Sequence, residues 1–143
     1  MAEPAPDTAP TPARDARAIA RDVLLTESDG LRQLADSLSP SIADTVAQLL
    51  QTPGRIIVSG MGKSGHVAAK IAATLASTGS PAQFVHPGEA SHGDLGMITR
   101  SDAVILISNS GETRELGDII AHTRRFRVPM VAITRRAEST LAQ

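Results

Sequence analysis

The chain reads as an α/β fold, a three-layer αβα sandwich around a parallel sheet, and three observations carry that reading. The segments Arg55–Val58, Gln83–His86, Ala103–Ser108 and Val128–Thr134 are short, β-branched and uninterrupted, as strands covered on both faces are. Segments with three- and four-residue apolar spacing alternate strictly with them, and parallel neighbours require such crossover helices. A length of 143 residues with 41% apolar content suits one domain with one packed core.

The elements follow in order. Residues 1–13 are proline-rich, and residues 1–14 are expected to be a disordered tail. The domain proper is expected over 15–143, with N-terminal helices over 15–53 packed on a parallel α/β part over 54–143. From Asp15 a helix carries Ile19, Val23, Leu24, Leu31, Leu34 and Leu38 on one face, with Gly30 weakening or kinking it. Ser39-Pro40 reads as an N-cap followed by proline at the first helical position, and Ile42, Val46, Leu49 and Leu50 form the next apolar face up to Pro53-Gly54. After the first strand a helix has Val67, Ile71 and Leu75 on one side and Ala68, Ala72 and Ala76 beside them, stopping at Gly79. Residues 87–100 read as loop. Glu112 to about Phe126 is expected to be helical with Leu116, Ile119 and Ile120 inward, and a new helix is expected near Ala137.

Composition excludes several function classes. There is no cysteine, so disulfides, thiolate catalysis and Cys-type metal sites are ruled out. Cationic and anionic side chains nearly cancel, at a net charge of −1, and the aromatic content is two phenylalanines, Phe84 and Phe126. Neither a polyanion-binding surface nor a base-stacking platform fits that composition, so no nucleic-acid partner is expected. No apolar run approaches the ~20 residues of a membrane span, and the N-terminus does not read as a secretory signal. A cytoplasmic protein without a membrane partner is the expectation.

Two loops look built for phosphate. Ser59-Gly60-Met61-Gly62-Lys63-Ser64-Gly65 joins a strand to a helix, where glycines permit close backbone approach and helix N–H groups favour an anion. Its spacing also fits the dinucleotide pattern at Gly60, Gly62 and Gly65, while Ile57 stands where a Walker loop needs glycine. Ser108-Asn109-Ser110-Gly111-Glu112-Thr113 gathers hydroxyls, an amide and helix N–H groups at another strand end, beyond what one N-cap requires. In a flavodoxin-like strand order 2-1-3-4, the strands preceding these loops are neighbours. Both loops then line the crevice at the switch point. A plain tight turn and a capping motif remain the competing readings of the two loops.

The stretches Gly60-Met61-Gly62-Lys63-Ser64-Gly65-His66, Ser77-Thr78-Gly79, His86-Pro87-Gly88-Glu89-Ala90-Ser91-His92-Gly93-Asp94-Leu95-Gly96 and Ser108-Asn109-Ser110-Gly111-Glu112 closely resemble the sugar isomerase (SIS) domain of arabinose-5-phosphate isomerases over about residues 15–143. The resemblance implies a cytoplasmic homotetramer that interconverts ribulose 5-phosphate and arabinose 5-phosphate, on the path to the Kdo sugar of lipopolysaccharide or capsule. It implies no cofactor. Glu112 resembles the family's proposed catalytic glutamate and Lys63 its active-site lysine. His86 is expected to assist in opening the sugar ring. Gly62, Ser64, Ser108, Asn109, Ser110, Gly111 and Thr113 are expected to hold the phosphate. His86 and His92 share the motif loop with Glu89 and Asp94, but their spacing matches no metal-ligand signature and no metal is assigned. His122 reads as a surface residue of a helix.

The family pattern continues beyond position 143 with a fifth strand, helices, and a further glutamate and histidine credited with catalysis, usually followed by paired CBS modules. The expectation is a C-terminally truncated SIS domain with little isomerase activity by itself. A non-catalytic sugar-phosphate sensor is the alternative, and a nucleotide-binding oxidoreductase domain a third.

Overall fold

A computed structural model of the chain describes residues 15–143, and the tail expected over 1–14 lies outside them. The chain divides into two units, the first ending at Pro40 and the second spanning Ser41–Gln143. The first contains helix α1 (Ala16–Asp36), capped by the Asp15 side chain accepting the Arg17 N–H. Helical structure continues through Gly30, and α1 buries none of its residues; Leu24, Leu31 and Leu34 are well exposed.

The second unit begins with α2 (Ser41–Leu50) and then alternates: β1 (Ile56–Gly60), α3 (Lys63–Ser77), β2 (Ala82–Phe84), α4 (Pro87–Ser91), β3 (Ala103–Ile107), α5 (Gly117–Phe126) and β4 (Met130–Ile133). All pairings are parallel, in the order β2-β1-β3-β4 expected of the switch-point topology. In the register β1 to β3, Ile56 faces Ala103 and Gly60 faces Ile107.

Strand parity divides the core. Ile57, Val104 and Leu106 point to one face, where they join Val85, Leu116, Ile119, Ile120 and Val128. Ile56, Val58, Ile105 and Ile107 point to the other, against Ala68 and Ala72 of α3, with Leu49 of α2 at the margin. All five positions of β1 and of β3 are buried, as continuous apolar runs require. Fully burying one such side chain stabilises the fold by about 1.5–3 kcal/mol.

Several expectations need correction. On α3, Gly65, Ala68 and Ala72 are buried and Ile71 and Leu75 pack half-buried against the same cluster, so of the two expected faces only Val67 and Ala76 turn outward. Small residues bring α3 close to the sheet: a Cβ at Gly65 would stand 2.7 Å from the Gly60 carbonyl oxygen. Residues 87–100 are not simply loop. They contain α4, begun by Pro87 at its first turn with the His86 side chain as cap, and a 3-10 turn at Asp94–Met97. The helix expected from Glu112 starts later. Arg114–Leu116 form a 3-10 turn and α5 begins at Gly117, because bonds of the preceding loop to itself and to residues 134–141 delay helix entry. Near Ala137 the chain makes turns, with the Ser139 N–H donating to Arg136 and the Ala142 N–H to Ser139. Strand ends are shorter than expected at β2 and β4. His122 is not a free surface residue: Nε2 lies 3.0 Å from the Ile98 carbonyl oxygen, and the ring packs 4.6 Å from that of Phe126.

Candidate active site at the sheet rim

β1 and β3 end side by side, and the loops that leave them share the C-terminal rim of the sheet. This is where ligands bind in doubly wound sheets.

The first loop delivers the start of α3. Gly62 precedes the helix at φ 56°, ψ −125°, a conformation reserved for glycine, and no side chain caps the helix. Lys63 is its first residue and is exposed; Ser64 is half-buried. No backbone hydrogen bond outside the regular elements uses the N–H of Gly62, Lys63 or Ser64. These donors and the helix dipole face the rim together with the ammonium group, a setting for an anion. Among the described residues no carboxylate pairs with Lys63.

The second loop is built differently from the expectation. Ser108 is 2% exposed and its hydroxyl is engaged inside the loop: it accepts the Gly111 N–H at 3.0 Å and lies 2.7 Å from the Thr113 hydroxyl. Ser108 is therefore turned into the loop and shapes it, while Thr113 is half-buried and shares its hydroxyl with Ser108. Ser110 is exposed, and its Oγ accepts the Glu112 N–H at 3.2 Å. Asn109 is also exposed. Neither its N–H nor that of Ser110 or Thr113 enters the loop's backbone hydrogen bonds. The polar groups this loop leaves accessible are thus the Asn109 and Ser110 side chains and these amides.

Residues after β4 support this loop from behind. The Arg135 N–H donates to the Asn109 carbonyl at 3.3 Å and the Leu141 N–H to that of Gly111 at 3.1 Å. Gly111 has φ 68°, and a Cβ there would collide with the Ser139 side chain. The Glu112 carboxylate accepts the Thr140 N–H at 2.9 Å and the Thr140 hydroxyl at 2.7 Å. These two donors, chiefly the backbone one, with the Arg136 charge adding, hold the Glu112 carboxyl below its ordinary range.

His86 stands at the end of β2 with its Nδ1 accepting the Gly88 N–H at 3.1 Å. Its neutral ring therefore carries its proton on Nε2, leaving that atom a donor. Gly62, Gly65, His66, Ala69, Phe84 and His86 line a cavity of about 180 Å³ beside the first loop. His66 lies within the motif of the first loop, but sequence reasoning assigned it no role. Glu89, His92 and Asp94 are exposed on α4 and the turn after it. Among the described residues no three His, Asp or Glu side chains converge to hold a metal ion.

The fold and rim define a doubly wound α/β domain with two donor-rich loops at its switch point. The SIS domain family matches residues 49–143, and the chain belongs to that family. It is 45% identical over 132 residues to the arabinose 5-phosphate isomerase KdsD of Salmonella typhi, and equally to that of Escherichia coli strain K12; each match covers 92% of this chain and 40% of the relative. The chain thus spans 40% of the length of these curated relatives. Among solved structures, E. coli CFT073 c3406 in complex with A5P superimposes with a TM-score of 0.82 at 37% identity, covering 90% of this chain and 70% of that one. A sugar-phosphate isomerase assignment also attaches to a Listeria monocytogenes structure with a TM-score of 0.82 at 30% identity, covering 91% of this chain and 70% of that one.

Proposed function

We propose that this chain forms the substrate-binding core of an isomerase that interconverts D-ribulose 5-phosphate and D-arabinose 5-phosphate through an enediol(ate). The observation that carries the reading is the pairing of two donor-rich loops on the adjacent strands β1 and β3, with Lys63 on one and Glu112 on the other. The similarity to relatives named for this reaction supports the same substrate.

In this reading the phosphate dianion takes the amides of Gly62, Lys63 and Ser64 and those of Asn109 and Ser110, with the Ser110 hydroxyl and the Asn109 amide group completing its acceptors. Gly111 lets the loop turn, and Ser108 and Thr113 hold its shape. Isomerisation then needs a base for the carbon-bound proton and a cation for the developing oxyanion. Glu112 removes the proton from one carbon and the electron pair moves to the carbonyl oxygen. The hydroxyl proton of the enediolate then passes from the neighbouring oxygen to that oxygen as the new carbonyl forms, and the proton held by Glu112 returns to the adjacent carbon. Lys63 stabilises the oxyanion as a compact rotatable cation. His86 donates Nε2–H toward the ring oxygen as arabinose 5-phosphate opens, while Glu89, His92 and Asp94 fix the flanking loop.

The product belongs to the supply of Kdo for lipopolysaccharide or capsule, and the enzyme works in the cytoplasm as a homotetramer. The exposed apolar side chains of α1 support association. A second reading, a sugar-phosphate sensor, is favoured by the two donor-rich loops, which serve anion binding whether or not Glu112 transfers a proton.

Incubation of the purified chain with arabinose 5-phosphate, followed by phosphorus and proton NMR, tests both. Appearance of ribulose 5-phosphate, with loss on Lys63→Ala, supports the isomerase. Saturable binding with thermal stabilisation and no product supports the sensor. Neither binding nor turnover rejects both readings.

A further inference from the structure

We propose that Thr140 is a positioning residue for Glu112, holding both carboxylate oxygens in one fixed orientation; the inference rests on the isomerase reading above. The two residues lie 28 positions apart, yet one residue contributes two donors, the N–H to Oε1 at 2.9 Å and the hydroxyl to Oε2 at 2.7 Å. A carboxylate gripped at both oxygens cannot rotate freely about its last torsion, and each oxygen keeps a lone pair for substrate.

The grip stands on a firm base. Leu141, next in the chain, is 1% exposed, belongs to the core cluster and donates its N–H to the Gly111 carbonyl at 3.1 Å. Ser139, on the other side, is also 1% exposed and donates its hydroxyl to the Arg136 carbonyl at 2.7 Å. The Arg124 guanidinium donates to the Thr140 carbonyl at 3.3 Å. Thr140 is therefore held between two buried neighbours while its own side chain reaches the surface at Glu112.

The chemical consequence concerns both halves of proton transfer. Donors to the charged form keep Glu112 deprotonated in the resting site while making it a weaker base. Once it has taken the proton, the same donors favour its release, which suits a group that must return the proton to the neighbouring carbon. A base oriented by a third group is a common arrangement in proton-transfer sites.

The test uses the full chain and the variants Thr140→Val, which keeps shape and backbone N–H, and Thr140→Ser, which keeps the hydroxyl. The Glu112 carboxyl carbon is titrated by NMR, and interconversion of the two pentose phosphates is followed against pH. In Thr140→Val the Glu112 midpoint should rise toward the ordinary carboxylate value, and the acid limb of kcat should move to higher pH with it. The kcat should fall about tenfold with KM within twofold, and Thr140→Ser should restore both. A purely structural role would lower the melting temperature without moving the midpoint. An unchanged midpoint in Thr140→Val, or no recovery in Thr140→Ser, overturns the proposal. A wild-type chain that neither binds nor converts arabinose 5-phosphate overturns the isomerase reading instead, and the titration still decides whether Thr140 controls Glu112.

Discussion

Asp102 Oδ1 accepts the Arg55 backbone N–H at 2.7 Å, tying the entry of β1 to the entry of β3 across 47 positions of sequence. Oδ2 accepts the Thr99 N–H at 2.7 Å and the Thr99 hydroxyl at 2.9 Å, and Asp102 is 3% exposed. Burial alone would raise its pKa; the three donors and the Arg55 charge outweigh that and hold it below the ordinary 3.8. A depressed folded-state pKa contributes stability that is present above the unfolded value and lost as pH falls through the folded one. Urea unfolding from pH 7 down to pH 2 should therefore show a loss of stability below about pH 4. Asp102→Asn, which cannot accept at both positions, should lower stability by about 1–3 kcal/mol at neutral pH and flatten that dependence. Equal acid slopes in the two proteins would refute the assignment.

Gly111→Ala should be among the most disruptive single-methyl additions. It forces a side chain into φ 68° and against Ser139, with Thr134 Oγ1 at 2.9 Å. The left-handed backbone costs roughly 1–2 kcal/mol and the overpacking roughly another 1–3 kcal/mol. Gly62→Ala at φ 56° meets nothing within 4 Å and should incur the backbone part alone. Chemical denaturation of both variants should reveal the larger loss at Gly111, and equal losses would mean that Ser139 yields.

The two serines of the second loop should separate stability from binding. Ser108→Ala leaves the buried Gly111 N–H without its hydroxyl acceptor and should cost about 1–3 kcal/mol of stability. Ser110→Ala, at an exposed position, should keep stability within about 0.5 kcal/mol. It should nevertheless weaken arabinose 5-phosphate roughly tenfold through a lost hydrogen bond to a charged group. Thermal melts and calorimetric titration read the two effects, and a fall in melting temperature for Ser110→Ala without loss of affinity would exclude its phosphate role.

His86 should carry two separable duties. His86→Ala removes the α4 cap and should destabilise by about 1 kcal/mol. His86→Asn supplies another cap oxygen, so its melting temperature should recover while turnover of arabinose 5-phosphate stays low. Full recovery of turnover would reduce the imidazole to a cap.

Much of this was legible locally. The buried strands at Arg55–Val58 and Ala103–Ser108 follow from unbroken β-branched runs, and the loops that end them follow from glycine and hydroxyl content at strand-to-helix junctions. The helix at Pro87 was present as a capped proline start but was too short to show an apolar period. The alanine face of α3 was legible from its spacing, but which of the two apolar faces meets the sheet was not, because close approach to the sheet selects the small side chains.

The sequence by itself determined an alternating parallel architecture and two anion-ready loops, since strand periodicity, glycine and helix amides act within a few residues of one another. Only the tertiary structure decided what each loop residue does. It turned the Ser108 hydroxyl inward, fixed the His86 tautomer through α4, and brought Thr140 to Glu112 across 28 positions. Hydrogen bonds between segments distant in sequence depend on how helices and strands pack, and no local pattern of residues encodes that distance.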